Sequence, residues 1–167
     1  MPTTDRTETA VRPLPQEGEV DTVLRACRIL VAITARSLAA VPQVTDPLQM
    51  RAMVVLRSRE TLSLGQLARS VGIHLTRASR LCDRLVSQGL VDRTDDPANR
   101  RQLLLRLTAE GRDVVDEVMR QRAEAIQPVL ARMAPASRRA LVRALGDFDR
   151  AAEGFEEREL WAMGWTS

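Results

Sequence analysis

Residues 75–107 read LTRASRLCDRLVSQGLVDRTDDPANRRQLLLRL, and this stretch decides the fold. At 100° per residue, the segment from 75 to about 88 predicts a helix with two unlike halves. The apolar half contains Leu75, Ala78, Leu81, Cys82, Leu85 and Val86. On the other half Arg77, Arg80 and Arg84 form one stripe, beside Thr76 and Ser79, and only Asp83 interrupts it. A solvated helix usually mixes charges on its outer face, so this stripe favours an anionic partner.

The segment after this helix predicts a β-hairpin at about 90–107. Two short apolar runs, 90–93 and 103–107, flank a charged tip that we expect to span 94–102. An arginine-striped helix followed by a hairpin with arginines at its tip is the order of a winged helix-turn-helix. Such a helix fits the major groove of DNA, and the hairpin can place a guanidinium in the narrow minor groove.

Cap and breaker residues predict the other helices. The third begins with the S-x-x-Q capping box of Ser63 and Gln66 and stops at Gly72. The second starts at Asp46-Pro47, the fifth at Thr108 with a bend at Pro128, and the sixth at Pro135. The predicted organisation is a disordered tail (1–18), a dimerisation helix (19–42), a DNA-binding domain (45–107), dimerisation helices (108–159) and a tail with both tryptophans (160–167). Helices one, five and six carry more apolar positions than one winged domain can cover, which predicts a partner chain.

The composition disfavours an enzyme. All 25 basic residues are arginine, so mechanisms that need a lysine are excluded. The chain has one histidine, two cysteines and no tyrosine, and we expect neither a cofactor nor a metal. Neither a signal peptide nor a membrane span is visible, and we expect a cytoplasmic protein. The charge is uneven, because residues 63–107 hold eight arginines and four acidic residues.

The segment GLVDRTDDPANRRQLLLRLTAEG, residues 89–111, resembles the signature of MarR-family transcriptional regulators. That signature runs GLV-x-R, DP-x-D-x-R, an apolar strand, LT and a closing glycine. The resemblance covers about residues 20–155. It implies a mainly α fold with a small β-hairpin wing and a helical dimerisation region. It also implies a homodimer on a pseudo-palindromic DNA operator, most often a repressor released by a small aromatic or phenolic ligand.

The resemblance assigns roles to particular residues. The major-groove readers match Thr76, Arg77, Ser79 and Arg80, and the minor-groove wing arginine matches Arg101, with Arg100 beside it. With Arg84 of the stripe and Arg93, which is expected near phosphates or bracing the wing, these form the predicted DNA-binding set. Candidate ligand-pocket residues are Thr34, Arg36, Gln49, Met50 and Met53, although core packing is favoured for each methionine. Two positions depart from the family pattern: Asn99 replaces an acidic residue, and His74 replaces a better helix cap.

Several alternatives stay open at this point. Cys27 lies on the apolar stripe of the first helix, which favours packing, but the neighbouring arginines Arg25 and Arg28 keep a redox sensor possible. Packing is also favoured for Cys82, and a zinc site made of both cysteines and His74 has no ligand spacing in its favour. His74 could contact DNA or cap its helix. The alternative to a DNA-binding regulator is a winged-helix dimer that acts in protein interaction or cysteine-based redox sensing.

Overall fold

A computed structural model describes residues 14–96 and 99–152. Its elements in chain order are α1 (Glu17–Ala39), α2 (Pro47–Arg59), β1 (Leu62–Ser63), α3 (Leu64–Val71), α4 (Leu75–Ser87), β2 (Val91–Asp96), β3 (Asn99–Leu107), α5 (Ala109–Ala131) and α6 (Pro135–Ala151). The mainly α architecture with one small hairpin is as predicted. Within the described ranges, no helix has the length and apolar content that crossing a membrane requires. The cytoplasmic location stays a prediction.

The chain divides after Ala32 into two compact units. The first contains the N-terminal part of α1, where every described residue is exposed. Helix α1 begins at Glu17, two residues earlier than predicted, because the Glu19 carboxylate accepts a hydrogen bond from the Gln16 N–H at 2.8 Å. Acidic residues in the first turn also favour the positive end of the helix dipole. Of the predicted tails, 1–18 and 160–167, residues 1–13 and 160–167 lie outside the described residues, whereas Glu17 and Gly18 belong to α1.

In the second unit, the predicted cap residues begin and end the helices. Asp46 accepts from the Leu48 N–H at 2.8 Å and starts α2. The capping box of Ser63 and Gln66 is formed in both directions, and Gly72 ends α3 in the left-handed conformation with φ 71°. These helix ends could be predicted from the sequence because a cap residue bonds to the backbone only three or four residues away.

The sheet has the antiparallel order β1-β3-β2. Strand β1 was not predicted, because two residues are too short to show an alternating pattern. The predicted tip at 94–102 is wrong in its length, since β2 continues to Asp96 and β3 starts at Asn99. Strands pair through backbone hydrogen bonds, which polar residues form as well as apolar ones. The hairpin therefore extends past the apolar runs. The register shifts between Asp95 and Asp96.

The core of the second unit lies between α2, α3, α4, the sheet and α5. Its largest fully buried side chains include Met50, Met53, Leu56, Leu67, Leu85, Leu90 and Leu105. Helix α5 starts against the turn that joins α4 to β2. There the Thr108 hydroxyl donates to the Gly89 carbonyl at 2.7 Å and the Thr108 N–H donates to the Leu90 carbonyl at 3.1 Å. A Cβ at Gly111 would lie 2.1 Å from the Leu90 oxygen, so this approach requires glycine.

Helix α6 differs from the other helices of this unit, because none of its residues is buried. It is amphipathic all the same, and the exposed apolar side chains Val142, Leu145 and Phe148 recur every three residues. Pro135 begins α6 as predicted, and Pro128 lies inside α5, which ends at Ala131.

Candidate nucleic-acid interface

The outer face of α4 carries most of the predicted DNA-binding side chains. Thr76, Arg77, Arg80 and Arg84 are exposed, and Ser79 is half-buried beside them. None of the three arginines has an ion pair with another residue of the part that the structure describes. The opposite face of the helix is anchored by Ala78, Leu81, Cys82 and Leu85, which are buried. Packing therefore fixes the helix and leaves three guanidinium groups available to an external anion.

Leu75 does not belong to the buried half of α4, as the helical periodicity predicted. Its side chain is 52% exposed. Leu75 is the first residue of the helix, and side chains in a helix lean towards its N-terminus. Leu75 therefore projects past the end of the packed face, whereas Cys82, two turns later, is fully buried.

Arg93 braces the wing against α4. Its Nη2 lies 2.5 Å from Oδ1 of Asp83, the one acidic residue of α4. The pair joins the start of the hairpin to the helix and neutralises the carboxylate that interrupts the arginine stripe. Of the two roles expected for Arg93, bracing is the one for which the structure gives a partner. The Asp92–Arg106 pair, at 3.7 Å, links β2 to β3 in the same hairpin.

Arg100 and Arg101 lie in β3, close to the hairpin turn. Their side chains lie outside the described part, and so does the side chain of Asn99. Of the two roles left open for His74, capping is wrong, because its side chain makes no cap hydrogen bond to α4; its Nδ1 lies 3.4 Å from the Thr76 hydroxyl.

The predicted ligand-pocket residues are mostly part of the packed interior. Met50 and Met53 belong to the hydrophobic core, as favoured for them. Gln49 is also fully buried, and its amide links two segments, because Oε1 accepts from the Thr45 N–H at 3.1 Å and Nε2 donates to Gln88 Oε1 at 3.4 Å. Thr34 is buried and Arg36 is exposed.

A buried arginine was missed by the sequence analysis. Arg122 is 3% exposed, and its Nε donates to the Ser37 hydroxyl at 3.0 Å, which joins α5 to the C-terminal part of α1. Burial lowers the pKa of this guanidinium. The signal was a cation one turn after Val118 on the apolar stripe of α5.

One cavity of about 370 Å³ lies at the end of α2, against β3 and the start of α5. It is lined by Leu56, Arg57, Glu60, Thr61, Arg106, Leu107 and Arg112. None of the predicted pocket residues borders it. The lining combines apolar and charged side chains, and two of its arginines are already paired, Arg57 with Asp116 and Arg106 with Asp92.

The two cysteines have opposite environments. Cys82 is buried, as predicted, and burial raises the pKa of its thiol to about 11. The favoured packing of Cys27 within the chain is wrong: Cys27 is exposed, and so are the described residues around it in α1. Across the described ranges, no group of three His, Cys, Asp or Glu side chains could hold a metal ion.

Comparison with known proteins identifies the family. Residues 43–102, from the loop before α2 to the tip of the wing, match the family model described as MarR family. The crystal structure of RV1404 from Mycobacterium tuberculosis is 40% identical, with a TM-score of 0.78 over 86% of this chain and 99% of that one. This chain belongs to the MarR family. Its members are transcriptional regulators and not enzymes, and the predicted winged helix fold is confirmed.

Two further relatives of this MarR-family chain are informative. The HTH-type transcriptional regulator YsmB of Bacillus subtilis is 26% identical over 113 residues, which cover 68% of this chain and 77% of YsmB. A solved structure of BpsR from Bordetella bronchiseptica is 26% identical, with a TM-score of 0.52 over 83% of this chain and 98% of that one. That structure concerns the regulation of BpsR DNA binding by 6-hydroxynicotinic acid. This MarR-family chain is a DNA-binding transcriptional regulator.

Proposed function

We propose that two copies of this chain bind one pseudo-palindromic duplex and repress transcription by covering a promoter. Helix α4 of each copy enters the major groove, and the wing arginine enters the adjacent minor groove. The observation that carries this proposal is the exposed face of α4. Three arginines without partners among the described residues lie there on a helix whose other face is packed.

The proposed roles follow from position and chemistry. Thr76, Arg77, Ser79 and Arg80, on the first half of α4, read base edges, because the N-terminal part of a recognition helix lies deepest in the groove. An arginine fork matches guanine O6 and N7. Arg84, two turns along the helix, contacts phosphates. Arg93 positions the wing through Asp83, and Arg100 and Arg101 serve the minor groove.

The proposed partner chain is a second copy of this protein. Helix α6 exposes Val142 and Phe148 at 61% each, at the two edges of a face about 120° wide with Leu145 between them. The N-terminal part of α1 likewise exposes Val20, Val23, Leu24, Ile29, Leu30 and Val31. Several large apolar side chains exposed along one helix favour an interaction surface. Dimerisation also duplicates the basic face, as a pseudo-palindromic operator requires.

We further propose that a small aromatic or phenolic acid releases the DNA. The similarity to BpsR supports this class of ligand, because the structure of BpsR concerns the regulation of its DNA binding by 6-hydroxynicotinic acid. Two places can be tested. The predicted pocket of Thr34, Arg36, Gln49, Met50 and Met53 would have to open, because three of its members are fully buried. The cavity at Arg57, Arg106 and Arg112 already has space for a small acid.

The test of DNA binding is a salt series. Duplexes enriched from a random library on the full chain should bind with a log–log slope of about −0.9 per phosphate contact. Arg101→Ala should weaken binding while the dimer stays folded, and Arg80→Ala should also relax base preference, at about 1–3 kcal/mol for a base contact. Arg120→Ala, which removes the same charge from α5, is the control. Wild-type affinity in both DNA-face variants, or no salt-dependent binding, would favour the alternative of a protein-interaction or redox module.

The test of the ligand site compares two arginines. We expect 6-hydroxynicotinic acid or a benzoate to raise the melting temperature of the free protein and to lower its affinity for the enriched duplex. Arg36→Gln should abolish the shift if the predicted pocket is used, and Arg112→Gln if the cavity is used. A shift that survives both substitutions would exclude both sites.

A further inference from the structure

We infer that Leu75 reads the C5 methyl group of a thymine in the major groove. This inference rests on the proposed function, since it requires that α4 enters the groove. The side chain is 52% exposed, although it is a large apolar residue in a helix whose other leucines, Leu81 and Leu85, are buried. Packing within the described protein therefore does not account for it.

The position of Leu75 adds an apolar contact to a polar reading surface. On the helical wheel Leu75 lies 40° from Ser79, and the exposed arc then continues through Thr76 and Arg80 to Arg84 and Arg77. Leu75 and Ser79 thus form one edge of the DNA-facing surface, and the guanidinium groups of Arg84 and Arg77 form the other. In the major groove, the thymine methyl is the one apolar group that distinguishes base pairs. An exposed leucine among hydrogen-bonding readers has the complementary chemistry.

The environment of Leu75 also favours contact with a base edge over contact with protein. It begins α4, and the preceding residue, His74, is exposed. Its immediate neighbours Thr76 and Arg77 are exposed as well. A leucine in this place, at the end of the helix that enters the groove first, would lose water from its side chain only when DNA binds.

The experiment removes the methyl group from the DNA and the side chain from the protein. A duplex enriched on the full-length wild type is resynthesised with deoxyuridine at one thymine of a half-site at a time. At one position we expect deoxyuridine to weaken wild-type binding about fourfold, the value for one buried methyl-sized group. Leu75→Ala should bind the thymine duplex more weakly and should show no difference between thymine and deoxyuridine at that position. Leu75→Met, which keeps an apolar side chain, should retain the difference.

The matched control is Leu103→Ala, in the wing, where the leucine is 49% exposed. It should keep the full response to deoxyuridine. The inference is overturned if Leu75→Ala keeps the wild-type response, or if the wild type responds to deoxyuridine at no position. In either case salt-dependent duplex binding would persist, and the proposed function would stand. If no duplex can be enriched, the proposed function fails and the inference fails with it.

Discussion

Helices α4 and α6 both present an exposed face, but the two faces differ in chemistry. The face of α4 carries arginines beside small hydroxyl side chains, on a helix that is packed on its other side. Helix α6 has no buried residue and exposes a stripe of large apolar side chains. Exposure alone does not identify a partner. The guanidinium groups favour a polyanion, and the apolar stripe favours a protein surface that excludes water.

The largest expected effect follows from a charge in the α6 stripe. Phe148→Asp should convert the proposed dimer to a monomer, because burying an unpaired carboxylate in an apolar interface costs several kcal/mol. Affinity for the operator should fall with it. Sedimentation and DNA titration measure the two losses. Arg143→Asp, on the opposite side of α6, should leave the dimer intact, and a dimeric Phe148→Asp protein would refute the role of α6.

A smaller effect is expected at the start of α5, where this helix packs against the turn between α4 and β2. Gly111→Ala places a Cβ 2.1 Å from the Leu90 carbonyl oxygen, so the turn between α4 and β2 must move. We expect the free energy of unfolding to fall by about 1–3 kcal/mol, as in other overpacked sites. Gly65→Ala in α3 meets only the flexible end of Arg69 at 3.7 Å and should be neutral or stabilising. Urea denaturation compares the two variants, and equal stabilities would contradict the close packing of α5 against the Leu90 carbonyl.

Next in size is the brace between α4 and the wing. Asp83→Asn removes the partner of Arg93 and should lower the ratio of operator affinity to random-duplex affinity by about two- to fivefold, the range for an exposed pair. Asp92→Asn removes the same charge within the hairpin and leaves Arg93 paired. Gel-shift titrations on both duplexes measure the ratios. If the two variants lose specificity equally, charge rather than the position of the wing explains the change.

The smallest effect concerns the thiols. Iodoacetamide at about pH 8 should modify the exposed Cys27 and spare Cys82, because alkylation needs the thiolate and the pKa of Cys82 is raised to about 11. Because Cys27 lies on the α1 stripe assigned above to the proposed dimer, dimerisation should slow its modification, and mass spectrometry at rising protein concentration measures the rate. A loss of DNA binding on exposure of the dimer to peroxide would revive the redox-sensing alternative.

The sequence predicted best what is decided locally. Asp46, the Ser63–Gln66 pair and Gly72 end or begin helices through bonds within one turn, and all were predicted correctly. The helical wheel placed Leu75 and Cys27 on apolar stripes, but angle alone does not tell whether another element covers the stripe. The two-residue strand β1 and the buried guanidinium of Arg122 depend on partners far along the chain. The basic face of α4 was predictable because its arginines and the helical spacing that aligns them lie in one short segment of the sequence.

Methylation interference on the enriched operator tests the central claim most directly. Methyl groups at guanine N7 report on the major groove, and methyl groups at adenine N3 report on the minor groove. With the wild type we expect N7 interference at two places about 10 base pairs apart, one for each α4, together with N3 interference beside each place. Arg101→Ala should remove the N3 interference and leave the N7 interference. A single patch of N7 interference, or none, would contradict a dimer that places two α4 helices in the major groove.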